Sequence, residues 1–213
     1  MPLTPWDMSR IWAGILTAGP CTEIKSIHIS SLTDPEGQCN SIEQIRQYCI
    51  SLPVETFHER GIANNAAALA KKTIPEMVLR ALGYTVLEST ATIEPVIYDV
   101  PVKTKFLPEG FFEPGLVMGV RFHCKTTTAE GVTGTGLIDQ RMFLPGDVEQ
   151  MFWDVEGTPR NRMRVERLDS AHATAGNLFN RIPDVIAARP GIVPVYEMGP
   201  LKTTAVSWPR LGR

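Results

Sequence analysis

A long succession of strand-type segments, bracketed by helical ones, constrains this sequence more than any other feature. Residues 93–167 alternate between stretches rich in β-branched and aromatic residues and short turns that contain Gly or Pro. Helical patterns precede and follow them, at 5–18, 62–87 and 171–188. Helices, then antiparallel strands, then a helix are typical of an α+β fold. We therefore predict a single α+β domain over residues 1–213, with one open, mostly antiparallel sheet covered on one face by helices.

Local signals set the ends of several elements. Thr4 is a suitable N-cap for the first helix, Pro5 suits its first position, and Gly19 ends it. Gly83 is predicted as a helix C-cap in the second helical region, and Asp169 as the N-cap of the last helix. Strands are predicted over 23–32, 96–106, 117–128, 133–144, 148–155 and 160–167.

Composition narrows the classes of function. A net charge of −2 lacks the basic excess of a nucleic-acid-binding surface, so we predict no nucleic-acid partner. No apolar run approaches the ~18 residues that cross a membrane, and we expect no membrane association. Asp7 and Arg10 interrupt the apolar N-terminal stretch, which makes it a poor signal peptide. The four cysteines have neither metal-site nor C-x-x-C spacing, which predicts reduced thiols, no metal and a cytoplasmic location.

One predicted strand carries a row of basic residues. Because successive side chains of a strand point to opposite faces, Arg121, His123 and Lys125 share one face of segment 117–125, and its apolar residues share the other. Such a row suits a substrate carboxylate held by Arg121 and Lys125, with His123 as an acid or base near neutral pH. A solvated face, or a row of salt bridges at a subunit interface, is the structural alternative.

Two further places offer groups for chemistry. Glu94 precedes Pro95 at the predicted start of the first long strand, where a rigid X-Pro junction would hold a general base. We predict Glu94 and His123 as the catalytic residues. His58 and Arg60 lie in a predicted loop that would close over the substrate and bind it. An exposed or capping acid, and an ordinary polar loop, are the alternatives.

A glycine-rich stretch at 131–136 looks like a nucleotide-binding loop but lacks the required context. Its sequence GVTGTG runs into strand-type residues, whereas the dinucleotide fingerprint opens a helix whose N-terminus binds the pyrophosphate. No P-loop pattern occurs in the sequence. We therefore predict a hairpin at this position and no cofactor bound by this chain.

Several short segments, taken in order, resemble a known family. They are AGPCTEIKSI at 18–27, TIEPVI at 92–97, GLVMGV at 115–120, VEGTP at 155–159, AGNLFNRIP at 175–183 and ARPGI at 188–192. Together they resemble the C-terminal domain of 2,4-diaminopentanoate dehydrogenase and its dihydrodipicolinate-reductase-like relatives, over nearly the whole chain. The resemblance implies an α+β domain for substrate binding and oligomerisation, which in relatives works with an N-terminal Rossmann domain that holds NAD(P).

These 213 residues contain no counterpart of that Rossmann domain, which leaves several functions open. We favour a cofactor-independent enzyme of small-molecule biosynthesis, a cyclase or isomerase that condenses, cyclises or isomerises an amino-acid-type or imine-type substrate. The alternatives are the C-terminal substrate-binding and oligomerisation subunit of a split NAD(P)-dependent dehydrogenase, and a non-catalytic small-molecule-binding protein. We also expect a homo-oligomer, a dimer, formed through the uncovered face of the sheet, and a stable homodimer would favour the stand-alone enzyme.

Overall fold

A six-stranded sheet forms the framework of the chain in the computed structural model, which describes residues 8–65, 69–108 and 110–203. The strands are β1 Glu23–Thr33, β2 Val86–Ile97, β3 Val102–Lys103, β4 Phe111–Phe112, β5 Val117–Thr128, β6 Thr133–Arg141, β7 Gln150–Thr158 and β8 Asn161–Glu166. The sheet order is β2-β5-β6-β1-β7-β8, and β3 and β4 pair in a separate ribbon. All neighbours are antiparallel except β1 and β6, which are parallel.

Helices cover one face of this sheet. The helices that the structure describes include α1 Ala13–Ala18, α2 Ile42–Arg46, α3 Val54–Glu59, α4 Thr73–Ala81 and α5 Ser170–Ala187, and a π-helical turn at Met8–Trp12 leads into α1. Helix α1 packs over β1, β7 and β8, and α4 packs over β2, β5 and β6. The predicted α+β fold, with an open, mostly antiparallel sheet covered on one face, is confirmed. Among the described helices none has the length and apolarity to span a membrane.

Alternation along the strands separates a buried face from an open one. In β5 every second side chain from Met118 to Cys124 is buried under the helices, and Arg121, His123 and Lys125 lie on the other side. We call this uncovered side of the sheet the open face. Burial of the apolar side stabilises the fold by roughly 25 cal/mol per Å² removed from water.

A tryptophan of β7 fixes the first helical segment on the sheet. Trp153 is fully buried, and its Nε1 donates a hydrogen bond to the Ser9 carbonyl at 3.2 Å. Gly14 in α1 lies directly over the indole, where an added Cβ would be 2.8 Å from the ring. Glycine is therefore required at this crossing, because any larger residue would push α1 away from the sheet.

The glycine-rich stretch forms the predicted hairpin and has a packing role. Gly131 lies in the turn between β5 and β6 with a φ of +83°, and Gly134 lies in β6 beneath α4. A Cβ at Gly134 would be 2.9 Å from a methyl group of Leu79 and 3.0 Å from Pro75. The missing side chain lets α4 approach the sheet closely.

Several predicted element boundaries are wrong. In the helical region predicted at 62–87, the described residues include short 3₁₀ turns at Ile62–Asn64 and Ala70–Lys72 and then α4, and strand β2 begins before the predicted end, at Val86. The strand predicted at 96–106 instead occupies Val86–Ile97, and Glu94 lies within it rather than at its start. Pro95 is compatible with this position because β2 is an edge strand, where one backbone donor is not needed by a neighbour. Thr4 and Pro5 lie outside the described residues.

Other local predictions are confirmed. Helix α1 ends before Gly19, and the Asp169 side chain accepts a hydrogen bond from the His172 amide at the start of α5. Gly83 follows α4 with a φ of +89°, and the amides of Gly83 and Tyr84 bond back to the last turn of the helix. This arrangement is a Schellman motif, in which a left-handed residue ends the helix.

The contact between α1 and Trp153 gives a prediction about stability. We expect Gly14→Ala to lower the free energy of unfolding by about 1–3 kcal/mol, because the added methyl group overlaps the indole. Gly176→Ala in α5 is the matched control, since nothing lies within 4 Å of the position of its Cβ. There alanine should stabilise the protein by about 0.5–1 kcal/mol. Urea denaturation measures both effects, and equal effects of the two substitutions would contradict this packing account.

Candidate functional site

The open face brings three of the predicted site residues together. Glu94 of β2 lies opposite Arg121 of β5, and His123 is the next residue along the same face of β5. The Nε2 atom of His123 is 3.0 Å from Glu94 Oε1, and Arg121 Nη1 is 3.8 Å from the same oxygen. About half of the Glu94 and His123 side-chain surface is accessible to solvent. A carboxylate and an imidazole at this distance can exchange a proton with each other or with a bound molecule.

The guanidinium of Arg121 is bound by a residue that the sequence analysis missed. Its Nε and Nη2 donate to the two carboxylate oxygens of Asp139 on β6, at 2.7 and 2.8 Å. These hydrogen bonds raise the pKa of Arg121 above its ordinary value. The network continues through Arg141, which lies 3.7 Å from Asp139 and 2.6 Å from Asp147. Asp139 could be found only from the register between β5 and β6, which the sequence does not specify.

The open face also holds a shallow concavity of about 350 Å³. Its lining includes Leu32, Leu137 and Phe152, together with Asp139 and Arg141 of the charged network. Apolar side chains therefore lie beside the network in the middle of the sheet. A surface of this kind can receive either a small molecule or a partner surface.

The other predicted site residues lie apart from this network. Lys125 is exposed on the open face, with Thr90 and Thr135 as its neighbours on the adjacent strands. His58 belongs to α3 rather than to a loop, because α3 begins directly after Pro53. Arg60 follows α3 and donates a hydrogen bond to the Arg46 carbonyl at 2.9 Å. Within the described residues, no contact joins His58 or Arg60 to the network around Glu94.

A second cavity, also of about 350 Å³, lies between the helical layer and the sheet. Arg10 enters it from the first helical turn, Lys71 from the turn before α4, and Phe122 of β5 lies at its base. The Nζ of Lys71 is 6.0 Å from the centre of the Phe122 ring. We call this cavity the cation pocket.

Amide and hydroxyl groups form much of the rest of the cation pocket. Gln38, Gln47, Asn65 and Gln140 supply the amides, and Thr33 at the end of β1 supplies a hydroxyl. Thr33 is only 1% exposed, and its hydroxyl makes no hydrogen bond with the residues that the structure describes. No carboxylate is among the described residues that line the pocket. The pocket therefore presents positive charge and hydrogen-bonding groups without an acidic group at its wall.

Arg10 is a buried cation with charged neighbours beyond the wall of the pocket. It is 6% exposed, and the bond from Trp153 to Ser9 positions the turn that carries it. Burial and the nearby Arg167 guanidinium lower the pKa of Arg10 to about 9, so it remains charged at neutral pH. Glu149 counteracts this effect and also pairs with Arg167 at 3.4 Å.

Lys71 is strongly influenced by Arg10. The charge of Arg10 and, next, burial lower the pKa of the Lys71 ammonium to about 7. Cys124 lies beneath both cations, and burial raises the pKa of its thiol to about 11, which keeps it protonated. Near neutral pH Arg10 is therefore charged and Lys71 is partly protonated.

Sequence analysis missed the cation pocket. Arg10 appeared there only as an interruption of an apolar stretch, and Lys71 as part of an Ala-rich helix. The cation Arg10 within an otherwise apolar helical segment could have indicated this pocket. Lys71, which lines the same pocket, is 61 positions away in sequence. All four cysteines are free thiols, and no described group of His, Cys, Asp and Glu could hold a metal ion.

Comparison with known proteins assigns the chain to a family. The 2,4-diaminopentanoate dehydrogenase C-terminal domain family matches residues 13–207. The chain belongs to this family. Among solved structures, an amine dehydrogenase from Mycobacterium smegmatis is similar, with a TM-score of 0.73 and 20% sequence identity, over 94% of this chain and 57% of that chain. This likeness shows the fold alone, and this chain matches little more than half of the amine dehydrogenase. No curated protein matches it in sequence.

Family membership corrects our first functional interpretation. A cofactor-independent cyclase or isomerase is wrong, because the family that matches is a domain of a dehydrogenase. The finding supports the alternative that we considered, a dehydrogenase C-terminal domain. The error arose because the lack of a Rossmann fingerprint in these residues was taken as evidence about the reaction. A domain that leaves nucleotide binding to another part of the enzyme lacks this fingerprint as well.

The lowered pKa of Lys71 predicts how stability depends on pH. The folded protein releases this proton near pH 7, and the unfolded chain releases it near 10.5, so the unfolded chain holds more protons between these values. The free energy of unfolding of the wild type, minus that of Lys71→Met, should therefore increase with pH from about 7 upward. The increase should be at most about 1.4 kcal/mol per pH unit. Lys72→Met, at a neighbour that does not line the pocket, is the control and should show no such trend. Urea denaturation from pH 6 to about 9 measures it, and a pH-independent difference for Lys71→Met would contradict the prediction.

Proposed function

We propose that this chain is the substrate-binding and subunit-association part of an NAD(P)-dependent dehydrogenase. The observation that carries this proposal is the family match over residues 13–207, which covers both the open face and most of the cation pocket. The nicotinamide nucleotide would be held by a Rossmann unit, either elsewhere in a longer chain or in a separate one. A small molecule would be the substrate, reduced or oxidised between the two units.

The described residues do not fit a dinucleotide. A pyrophosphate site needs a strand, a glycine-rich turn and the N-terminus of a helix in immediate succession. The glycine-rich stretch at 131–136 instead joins two antiparallel strands, β5 and β6. This supports a division of labour in which the present chain binds the substrate and another unit binds the nucleotide.

The open-face network remains a proposal for proton transfer. Glu94 and His123 would move protons, with Arg121 and Lys125 holding a substrate carboxylate and His58 and Arg60 adding binding contacts from α3. The 3.0 Å contact between His123 and Glu94 favours the proton-transfer part of this proposal. The two hydrogen bonds between Arg121 and Asp139 weigh against a direct grip on a substrate, because they occupy one edge of the guanidinium.

Nucleotide binding by the isolated chain is the first test of this function. We expect no saturable fluorescence change when NADH or NADPH is titrated in the micromolar range against the 213-residue chain. We expect oxidation of an amine substrate by NAD(P)⁺ only when a nucleotide-binding domain or chain is supplied. Micromolar binding of either nucleotide to the chain alone would show that the proposed division is wrong.

Association through the open face is the second part of the proposal. Leu137 and Phe152 lie at the centre of this face, and ion pairs such as Arg164 with Glu166 lie around them. An apolar centre with a polar rim is the usual anatomy of a protein interface, and a twofold dimer is the commonest symmetric assembly.

The four free thiols support a reducing compartment, which we propose is the cytoplasm.

A pair of substitutions tests the dimer. We expect light scattering at micromolar concentration to give the mass of a dimer, and Phe152→Glu to give a monomer, because an unpaired carboxylate would be buried at the interface. Ile186→Glu is the matched control, because Ile186 belongs to α5 rather than to the sheet and is 79% exposed. A monomeric wild type, or a dimer broken by Ile186→Glu and not by Phe152→Glu, would place the association elsewhere or exclude it.

A further inference from the structure

We propose that Lys71 is a covalent site, at which its side-chain amine attacks the carbonyl carbon of an uncharged aldehyde in the cation pocket and forms an imine. An amine and an aldehyde need no oxidant and no reductant to combine, so the chain itself supplies the group that the bond requires. The inference goes beyond the proposed function and does not depend on it, because this reaction uses neither a nucleotide nor a second domain.

The backbone around Lys71 places its side chain at the cavity. Lys71 lies in the 3₁₀ turn Ala70–Lys72, which leads directly into α4 and packs on β2 and β5. Thr73 Oγ1 donates a hydrogen bond to the Ala70 carbonyl at 2.8 Å, which closes the turn. The side chain of Lys71 therefore lines the cation pocket from a position that local hydrogen bonding and packing on the sheet both define.

The amine of Lys71 is not engaged by the groups around it. Among the described residues it makes no hydrogen bond and no ion pair, whereas the Nζ of Lys105 donates to the Glu36 carbonyl at 2.8 Å. The Nζ of Lys71 is 6.0 Å from the centre of the Phe122 ring, which is the outer limit of a cation–π interaction. After loss of its proton, the nitrogen lone pair therefore meets no described donor that would prevent its attack on a ligand.

A large fraction of molecules carries a neutral Lys71 amine near neutral pH. The charge of Arg10 and, next, burial lower the pKa of Lys71 to about 7, from an ordinary value of 10.5. About half of the molecules are then neutral at this position at pH 7, against roughly one in three thousand for an ordinary lysine. Only the neutral amine is a nucleophile, and a desolvated position next to another cation is one way in which proteins activate a lysine for imine formation.

Imine formation at Lys71 balances without a further reactant. The neutral Nζ forms a bond to the carbonyl carbon, and the carbonyl oxygen becomes a hydroxyl by taking up a proton that the nitrogen loses. Departure of this hydroxyl with the second proton of the nitrogen releases one water and leaves a carbon–nitrogen double bond. Gln140 lies on the same face of the sheet as Phe122 and lines the pocket, where its amide can donate a hydrogen bond to the departing oxygen.

The pocket limits the aldehyde by size and by charge. A cavity of about 350 Å³ lies at the lower end of the range for small-molecule sites, which suits a chain of about three to six carbons. Phe122 offers an apolar surface to such a chain, and the amides of Gln38 and Gln47 offer hydrogen bonds to its oxygen. An uncharged compound is favoured, because a carboxylate beside Lys71 would stabilise the protonated amine, which does not react.

Reductive trapping tests the assignment. Butanal and sodium cyanoborohydride, which reduces an imine to a stable secondary amine, are added to the wild-type chain at about pH 7, and peptide mapping by mass spectrometry gives the labelling rate at each amine. We expect Lys71 to be labelled at least about tenfold faster than Lys72 and Lys105. The α-amino group, whose ordinary pKa is about 8, is the internal standard for a reactive amine outside the pocket. A rate at Lys71 no higher than that at Lys72 would overturn the proposal.

A larger aldehyde and two variants separate reaction inside the cavity from general reactivity. An aldehyde-terminated polyethylene glycol too long to enter the cavity should label the α-amino group and leave Lys71 unmodified. Lys71→Arg, which retains a cation, should abolish the fast labelling by butanal, and Lys72→Arg should leave it unchanged. Circular dichroism checks that both variants are folded. Labelling of Lys71 by the polymer as fast as that of the α-amino group, or fast labelling that survives Lys71→Arg, would contradict a site within the pocket.

The pH dependence of labelling identifies the reacting group. From about pH 6 to 7 the ratio of the Lys71 rate to the Lys72 rate should be nearly constant, and above pH 7 it should fall by up to about tenfold per pH unit, because Lys71 is then already neutral. Arg10, the Cys124 thiol and the Tyr48 phenol are the titratable groups among the described residues that act on Lys71 or line the pocket with it. The pKa values of Arg10, about 9, and of Cys124, about 11, keep both mostly protonated up to pH 8. A ratio that stays constant from pH 6 to 8 would overturn the proposal.

Discussion

The contact between Trp153 and the first helical segment is the constraint on which the rest of the arrangement depends. The indole donates to the Ser9 carbonyl at 3.2 Å, and Gly14 lies against its ring. Together they set both the height and the rotation of the segment over the sheet. Arg10 follows Ser9 directly, so the same contact turns its guanidinium into the cavity where Lys71 lies. A packing interaction in the core thereby positions a buried charge.

The strands connect the two candidate sites across the thickness of the sheet. In β6, Gln140 lines the cation pocket, whereas its neighbours Asp139 and Arg141 belong to the open-face network. In β5, Phe122 lies beneath Lys71 and His123 faces Glu94 on the other side. Since side chains alternate along a strand, adjacent residues reach opposite faces. A shift of one residue in the register between β5 and β6 would exchange the two sets and destroy both sites.

Sequence patterns predict what depends on neighbouring residues and fail where distant segments meet. The alternation around Arg121, the hairpin at 131–136 and the cap at Asp169 are local signals, and the structure confirms each of them. The position of Glu94 was wrong because Pro95 suggested a strand start, and only the sheet order shows that β2 is an edge strand. The pairing of Arg10 with Lys71 depends on helix packing over the sheet, which no local pattern encodes.

The balance of charge differs between the two faces of the sheet. On the open face each of four arginines lies within 4.0 Å of a carboxylate: Arg121 with Asp139, Arg141 with Asp147, Arg162 with Asp154, and Arg164 with Glu166. Covering such ion pairs with another protein surface costs less than covering unpaired charges, because each charged group keeps its partner. The cation pocket differs from this surface in composition, because its described lining contains Arg10 and Lys71 together with amide and hydroxyl side chains but no Asp or Glu.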